Sequence, residues 1–503
     1  MPSTFSYQFD TPSHKGITEF STGLFINGEF VDGSENSTID VINPATGKLI
    51  TKISQGTPKD VDRAVAAAQH AFETSWGLKC PGAERAKLMN KLADLMEEHE
   101  DELAAVEALD NGKTFYWAKN ADLKGAIDCI RYYAGWADKI QGKTIETNDG
   151  KLVYTRHEPL GVVGQIIPWN FPLLMLSWKI GPALATGNAI VLKPSEFTPL
   201  SALLTAKLAK EAGFPPGVFN VVNGYGATVG AAIAEHMDIE KVAFTGSTLV
   251  GRKIMEAAAK TNLKKVTLEL GGKSPNIIFD DADLEAAVNW AAFGIFWNQG
   301  QTCCAGSRIF VHAKIYDEFL HLFTEKAKQV KVGDPFHPDS KQGPQVSNAQ
   351  FDRIMSYIDS GKDEGATVHH GGVRVGDEGY FISPTIFTDT RPDMKIVKEE
   401  IFGPVGVVIK FDDDEDVIRQ ANDTVYGLAC SVFSQNINRA LETAHKLKAG
   451  TAWVNCANML HASVPFGGFK QSGIGRELGE YALENYTAVK AVHVNFGHQW
   501  SVA

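Results

Sequence analysis

The sequence predicts an α/β protein: a parallel-sheet unit, a second α/β unit, and a small β segment attached. Three observations predict it. From residue 161 to about 270, short apolar strands alternate with helical patterns, as in a parallel sheet covered on both faces. A second α/β run follows from about 273 to 470. Two further strand signals, at 140–157 and 484–495, stand outside both runs. A chain of 503 residues, 44% of them hydrophobic, is long enough to bury several cores.

In chain order, residues 1–20 are polar and are expected to be loosely ordered. Residues 24–31 carry an Asn27-Gly28 pair between apolar runs, a strong hairpin signal. Apolar spacings of three and four predict helices over 58–75, 82–108 and 114–139, with Leu88, Leu92, Leu95 and Met96 showing the pattern well. A paired-strand signal follows, 140–147 and 151–157 around Asn148-Asp149-Gly150; it reads either as a ribbon that pairs with another subunit or as an ordinary surface hairpin. Strands are expected at 161–167, 188–193, 218–223, 240–244 and 264–269, with helices at 201–212 and 227–236 between them. A helix over 284–296 leads into Asn298-Gln299-Gly300, the thiols Cys303 and Cys304, and a strand at 309–311. The chain ends on a strand at 487–494.

Charge and cysteine usage narrow the function. Forty-eight basic against sixty acidic residues give a net charge of −12 and no basic run with interleaved aromatics, which argues against nucleic acid as a partner. Six scattered cysteines without a CxxC fit a reducing compartment. No apolar run is long enough to span a bilayer, and residues 1–16 have neither an apolar nor a basic amphipathic leader pattern. With no peroxisomal tripeptide in Trp500-Ser501-Val502-Ala503, the cytoplasm is the expected location and a membrane is not an expected partner.

Several stretches could carry chemistry. Small residues flank Cys303 and Cys304, leaving room for a substrate carbon; a thiolate there is a strong nucleophile if its pKa is lowered, and two adjacent thiols are equally well small buried hydrophobes. Glu269 ends an apolar strand before Gly271-Gly272, where burial suits a general base or a carboxylate satisfied by the backbone. Asn170 lies between Pro168 and Pro172 at another strand end, as a rigid oxyanion donor or a turn residue. The segment from Gly224 through Gly226 to Gly230 narrowly misses a dinucleotide fingerprint. Phe244-Thr245-Gly246-Ser247-Thr248 is stronger, since Ser247 or Thr248 can cap a helix whose free N–H groups suit a pyrophosphate. Lys193 and Glu196 follow a strand, either as ribose ligands or as a solvated charge pair. Gly271-Gly272-Lys273-Ser274 lacks the first glycine of a P-loop, and no zinc spacing or serine-hydrolase motif is present.

Taken together, Pro168-Trp169-Asn170-Phe171-Pro172, Lys193-Pro194-Ser195-Glu196, Phe244-Thr245-Gly246-Ser247-Thr248, Leu268-Glu269-Leu270-Gly271-Gly272-Lys273-Ser274-Pro275, Gly300-Gln301-Thr302-Cys303, Glu399-Glu400-Ile401-Phe402-Gly403-Pro404 and Pro465-Phe466-Gly467-Gly468 resemble the NAD(P)-dependent aldehyde dehydrogenase superfamily over residues 20–498. The tetrameric cytosolic and mitochondrial branch, fungal members in particular, is the one resembled. The resemblance implies a Rossmann-like dinucleotide-binding domain (20–139 and 159–271), a catalytic domain (272–480) and an oligomerisation β segment (140–158 and 485–498).

It also implies roles. Cys303 would be the nucleophile, Glu269 the general base, and Asn170 with the Cys303 amide the oxyanion hole; Lys179 would position the catalytic groups or tune their ionisation. Lys193 and Glu196 would hold the adenosine ribose, Ser247 the pyrophosphate, and Glu400 the nicotinamide ribose beside Phe402. Ile166, Trp169, Gly226, Gly230, Phe244 and Gly246 complete the implied cofactor groove. Phe171, Trp178, Leu460 and Phe466 would line an apolar aldehyde tunnel. The implied activity is oxidation of an aldehyde to a carboxylic acid through a Cys303 thioester, with NAD preferred over NADP because of Glu196, in a homotetramer built as a dimer of dimers. A non-redox thioesterase or acyl-transferring thiol enzyme would share Cys303 and Glu269 but would not need Lys193, Glu196 or Glu400. The sequence departs from relatives at Leu249, at Thr302, and in the mouth segment Ala457-Asn458-Met459-Leu460-His461, which lacks aromatics.

Overall fold

The computed structural model describes residues 2–497 and 499. Residue 498, the last of the expected oligomerisation segment, and Trp500-Ser501-Val502-Ala503 lie outside the described residues. Two sheets dominate. The first has eight strands, in the order Gly473–Ile474, Lys265–Glu269, Lys241–Thr245, Val162–Ile166, Ala189–Lys193, Phe219–Val221, Leu24–Ile26 and Glu29–Val31. The five strands from Lys265–Glu269 to Phe219–Val221 are mutually parallel. Numbered along the chain their spatial order is 5-4-1-2-3, the doubly wound order of a Rossmann-like sheet, which reverses between Val162–Ile166 and Lys241–Thr245. Every residue of Val162–Ile166 and Ala189–Lys193 is buried, as expected of strands covered by helices on both faces.

The second sheet has seven strands: Thr367–His370, Thr385–Thr388, Val405–Phe411, Arg308–His312, Pro275–Ile278, Ala429–Phe433 and Thr451–Val454. All pairs are parallel except the first. The β segment is a separate three-stranded antiparallel sheet in which Thr487–Asn495 pairs with Lys151–Pro159 over nine residues, and Thr144–Ile145 flanks the other side. Among the described residues no helix is long and apolar enough to cross a membrane.

The expected hairpin at 24–31 forms, with Asn27 at φ 55° and Gly28 at φ 78°, the double left-handed turn that Asn-Gly favours. The expectation of a loose N-terminus is wrong. Thr4–Asp10 and Lys15–Ser21 form an antiparallel pair in full register, and Phe5, Phe9 and Phe20 are buried against the first domain's core. Alternating Phe5, Tyr7 and Phe9 carry that period of two within a polar composition. The helix expected over 82–108 is two, Gly82–Glu98 and Glu100–Asn111; it breaks at His99 and ends at Gly112 with φ 87°. The helix expected over 114–139 contains a π turn, Ala118–Leu123, and ends at Ala134. Residues 227–236 likewise begin as a π turn, Gly226–Gly230, before Ala231–Glu235. Residues 140–143 form no strand, so the hairpin arm expected at 140–147 is shorter than its partner.

Candidate active site

Parallel pairing sets the carboxyl ends of four strands side by side. Lys193 is opposite Ile166, Phe244 is opposite Ile166 on the other side, and Thr245 is opposite Glu269. This is the point where the strand order reverses, and ligands of doubly wound sheets bind there. The fully buried helix Pro172–Thr186 leaves the Val162–Ile166 strand through Pro168, Trp169 and Asn170; Pro172 at its first turn needs no N–H partner. Helix Thr248–Lys260 starts at Ser247, whose hydroxyl accepts from the Val250 N–H at 3.3 Å. Of the two capping residues the sequence offered, Ser247 is the one used.

The segment carrying Cys303 and Cys304 comes from the part of the chain that builds the second sheet. Helix Leu284–Phe296 is capped by the Asp283 carboxylate, which accepts from Ala286 N–H at 3.1 Å. Removing this cap in Asp283→Ala is expected to cost about 1 kcal/mol of stability, readable in a denaturant titration. The chain then turns through Asn298 (φ 51°) and Gln299 (φ 58°), two consecutive non-glycine residues in the left-handed region. Such backbone persists only where the surroundings hold it. Here Asn298 donates to the carbonyls of Asn170 (3.0 Å) and Gln301 (3.3 Å), and Gln299 donates to that of Pro344 (3.2 Å). Cys303 follows, half-buried, with Cys304 fully buried beside it.

One cavity collects these pieces. Cys303, Glu269 and Asn170 all line it, from three separate elements. One end carries Gly246, Ser247, Glu400, Phe402 and Trp169; the Trp169 and Phe402 rings meet edge to face at 5.2 Å. The other end is apolar, with Phe171, Trp178, Leu460 and Phe466, and Trp178 packs edge-on against Phe466 at 5.4 Å. Two glycines admit the carboxylates: a Cβ on Gly271 would lie 2.4 Å from Glu400 Oε2, and one on Gly467 would lie 2.8 Å from Glu269 Oε1. Asn170 donates one amide hydrogen to the Gln301 carbonyl at 2.9 Å.

Burial governs the electrostatics. Both oxygens of Glu269 lack a hydrogen-bond partner. Its carboxyl is pushed well above the usual range by burial and by Glu477, with Cys303 adding to the rise and Lys179 and Arg476 opposing it. The Cys303 thiol is also pushed up, first by a hydrogen bond with the Cys304 thiol and then by burial. The expected lowering of the thiol pKa is therefore not found; the Cys303 thiol is held in its neutral form. Glu400 accepts from the Gly272 N–H at 2.9 Å, yet burial pushes its carboxyl up to about 7.

A family model, that of the aldehyde dehydrogenase family, matches residues 30–492. The chain belongs to the aldehyde dehydrogenase family. An aldehyde dehydrogenase of Agaricus bisporus is 72% identical over 495 residues, covering 98% of this chain and 99% of that protein. One from Emericella nidulans is 64% identical over 475 residues, 94% of this chain and 95% of the other. Among solved structures, the NAD+ complex of an aldehyde dehydrogenase from Bacillus cereus superposes with a TM-score of 0.93 at 56% identity, over 94% of this chain and 96% of that one.

The residues that the family resemblance singles out do not all reach the cavity. Lys179 is fully buried behind its wall, donating to Thr245 Oγ1 at 2.7 Å and to the Glu477 carboxylate. Lys193 and Glu196 lie further along the strand ends; the Lys193 ammonium donates to the Pro194 carbonyl (2.9 Å) and to Glu196 (3.3 Å), and Gly230 packs over the Lys193 stem. Gly226 is open, with nothing within 4 Å of a Cβ placed there. Ile166 and Phe244 are buried in the sheet below. Other wall residues escaped sequence reasoning. Leu174 and Met175 line the apolar end one helical turn from Phe171 and Trp178, a spacing that could have identified them. Trp297 packs on Phe171 at 5.1 Å. Gln350 and Arg353 reach the cavity near Glu400 and Phe402 from helix Asn348–Asp363, whose sequence gives no such sign.

Proposed function

We propose that this chain oxidises aldehydes to carboxylic acids with NAD, using Cys303 as nucleophile, Glu269 as base and Asn170 as oxyanion donor. The observation that carries the assignment is the single cavity on which these three meet Glu400 and Phe402.

The residues around the groove fit the cofactor. The capped N-terminus of Thr248–Lys260 suits the pyrophosphate, with Gly246 tight against Phe244 and Gly226 open opposite. Lys193 and half-buried Glu196 can take the adenosine ribose, and the Glu196 carboxylate would repel a 2′-phosphate. Glu400 would take the second ribose, with Phe402 against the adjoining ring. Bound there, NAD supplies the hydride acceptor.

Loss of the thiol proton to Glu269 gives the thiolate, and the sulfur–carbon bond to the aldehyde carbonyl forms. Negative charge develops on the carbonyl oxygen, where the free Asn170 N–H and the Cys303 amide stabilise it. Departure of hydride leaves a thioester on Cys303. Glu269 passes that first proton to solvent and then takes one from water as the water oxygen attacks the acyl carbon; the carbon–sulfur bond breaks, the acid leaves, and Glu269 returns its proton to the Cys303 thiolate. The apolar end receives the aldehyde's substituent.

Acid quenching after mixing with NAD and a short aliphatic aldehyde, followed by peptide mapping, is expected to find the acyl group on Cys303. An adduct confined to Cys304, or none during turnover, overturns the assignment. Glu400 sets a pH dependence. Its carboxyl is neutral below about 7 and ionised above, so NAD affinity is expected to rise with pH through that range. Fluorescence titration of Glu400→Gln should show the rise abolished.

We infer further that the three-stranded segment around Thr487–Asn495 joins subunits into a homotetramer, since Val489 and Phe496 are exposed there (63% and 71%). The domain boundaries implied by the resemblance and a cytoplasmic location complete the reading.

A further inference from the structure

Directly behind Asn170 lies a buried ionic cluster that the chemistry above does not use. Lys113, Glu107 and Asp122 are each at most 1% exposed. The Lys113 ammonium pairs with Asp122 and lies 3.4 Å from Glu107. It donates to the Asn170 carbonyl at 2.9 Å and sits 4.3 Å over the Phe171 ring. Glu107 accepts from the Leu173 N–H at 3.1 Å, and Asn111 donates to the Trp169 carbonyl at 2.6 Å. From the opposite side Asn298 donates to the same Asn170 carbonyl. The 169–173 backbone is thus gripped at three positions out of five, and at Asn170 from two sides.

A buried charge cluster is weak evidence for stability, because apolar replacement of matched volume is often neutral or stabilising. What the cluster adds is geometry. Asp122 belongs to the π turn Ala118–Leu123, and such insertions, which shift the register of a helix, are frequent at functional sites. Asn298 sits in left-handed backbone while spanning the Asn170 and Gln301 carbonyls. Both features serve contacts to one loop.

We infer that Lys113, anchored by Asp122 and Glu107, and Asn298 are positioning residues: they clamp the Asn170 backbone from behind and fix where its amide points. This inference rests on the reading of Asn170 as oxyanion donor.

The test is a double-mutant cycle between the clamp and Asn170. Lys113→Met with Asp122→Asn removes one charge of each sign. Misplacing a catalytic group by about 1 Å can cost about 10²-fold, so kcat is expected to fall about 10- to 100-fold, while the dissociation constant for NAD moves less than about twofold. In the Asn170→Ala background the same pair should cost less than about threefold, because the donor it positions is gone. Should the pair fail to fold, Asn298→Ala, which removes the second donor to the Asn170 carbonyl together with a 3.3 Å donor to that of Gln301, carries the same cycle. Equal losses with and without Asn170, or an unchanged kcat in the clamp variant, overturn the clamp alone. Wild-type turnover in Asn170→Ala overturns the oxyanion reading and the clamp with it.

Discussion

Glu269→Gln is expected to lower steady-state turnover by about 10²–10⁴-fold, the range general-base catalysis contributes, while a burst of NADH stoichiometric with active sites persists. The reason lies in the order of steps. Hydride leaves before water enters, so a missing base slows release of the acyl group more than its formation. The neutral thiol of Cys303 makes some slowing of the burst expected as well, since Glu269 is the titratable group that shares its cavity with both oxygens unpaired. Burial and Glu477 hold the Glu269 carboxyl protonated well above the usual carboxylate range. The ionised, active form therefore grows as pH rises, and wild-type turnover should rise with it; in Glu269→Gln that limb should vanish. Stopped-flow absorbance reads both phases. A burst abolished while steady turnover survives would reverse the assignment.

Asn170→Ala is expected to cost about 10²–10³-fold in kcat, the usual effect of deleting one oxyanion donor. Negative charge develops on the same oxygen when sulfur attacks and again when water attacks, so both the burst and the steady rate should fall. The site should otherwise survive. The Gln301 carbonyl that loses the Asn170 donor keeps the Asn298 amide at 3.3 Å. Affinity for NAD, read by fluorescence, should stay near wild type because Ser247 and Glu400 are untouched. Near-normal turnover in this variant would remove Asn170 from the mechanism.

The sequence made much of this site legible because its key residues sit where one-dimensional signals are strongest. Asn170 lies just past the buried strand Val162–Ile166, Glu269 ends the strand Lys265–Glu269, and Cys303 follows a helix whose cap and apolar periodicity are plain. Alternation of strands and helices likewise exposed the first parallel sheet. What stayed hidden depends on side chains meeting across long separations. Nothing in the sequence singles out Glu107, Lys113 and Asp122, and only the fold brings them together beneath Asn170. The π turns at 118–123 and 226–230 escaped because helical periodicity tolerates one inserted residue. Lys179 was expected to position the catalytic groups or tune their ionisation; it meets Thr245 and Glu477 behind the cavity wall, and its charge opposes the rise of the Glu269 carboxyl. The N-terminal hairpin was missed because three alternating aromatic rings are sparse among polar neighbours.

The short strand Gly473–Ile474 returns from the second sheet to complete the edge of the first, beside Leu268 and Glu269. The polypeptide therefore crosses between the two halves and comes back, sewing them together near the reacting groups. Cutting the chain after residue 271 would leave the first sheet without its last strand and would strip Phe466 and Glu477 from the surroundings of Glu269. The first sheet is complete, and Glu269 has its full surroundings, only with that later stretch of chain in place.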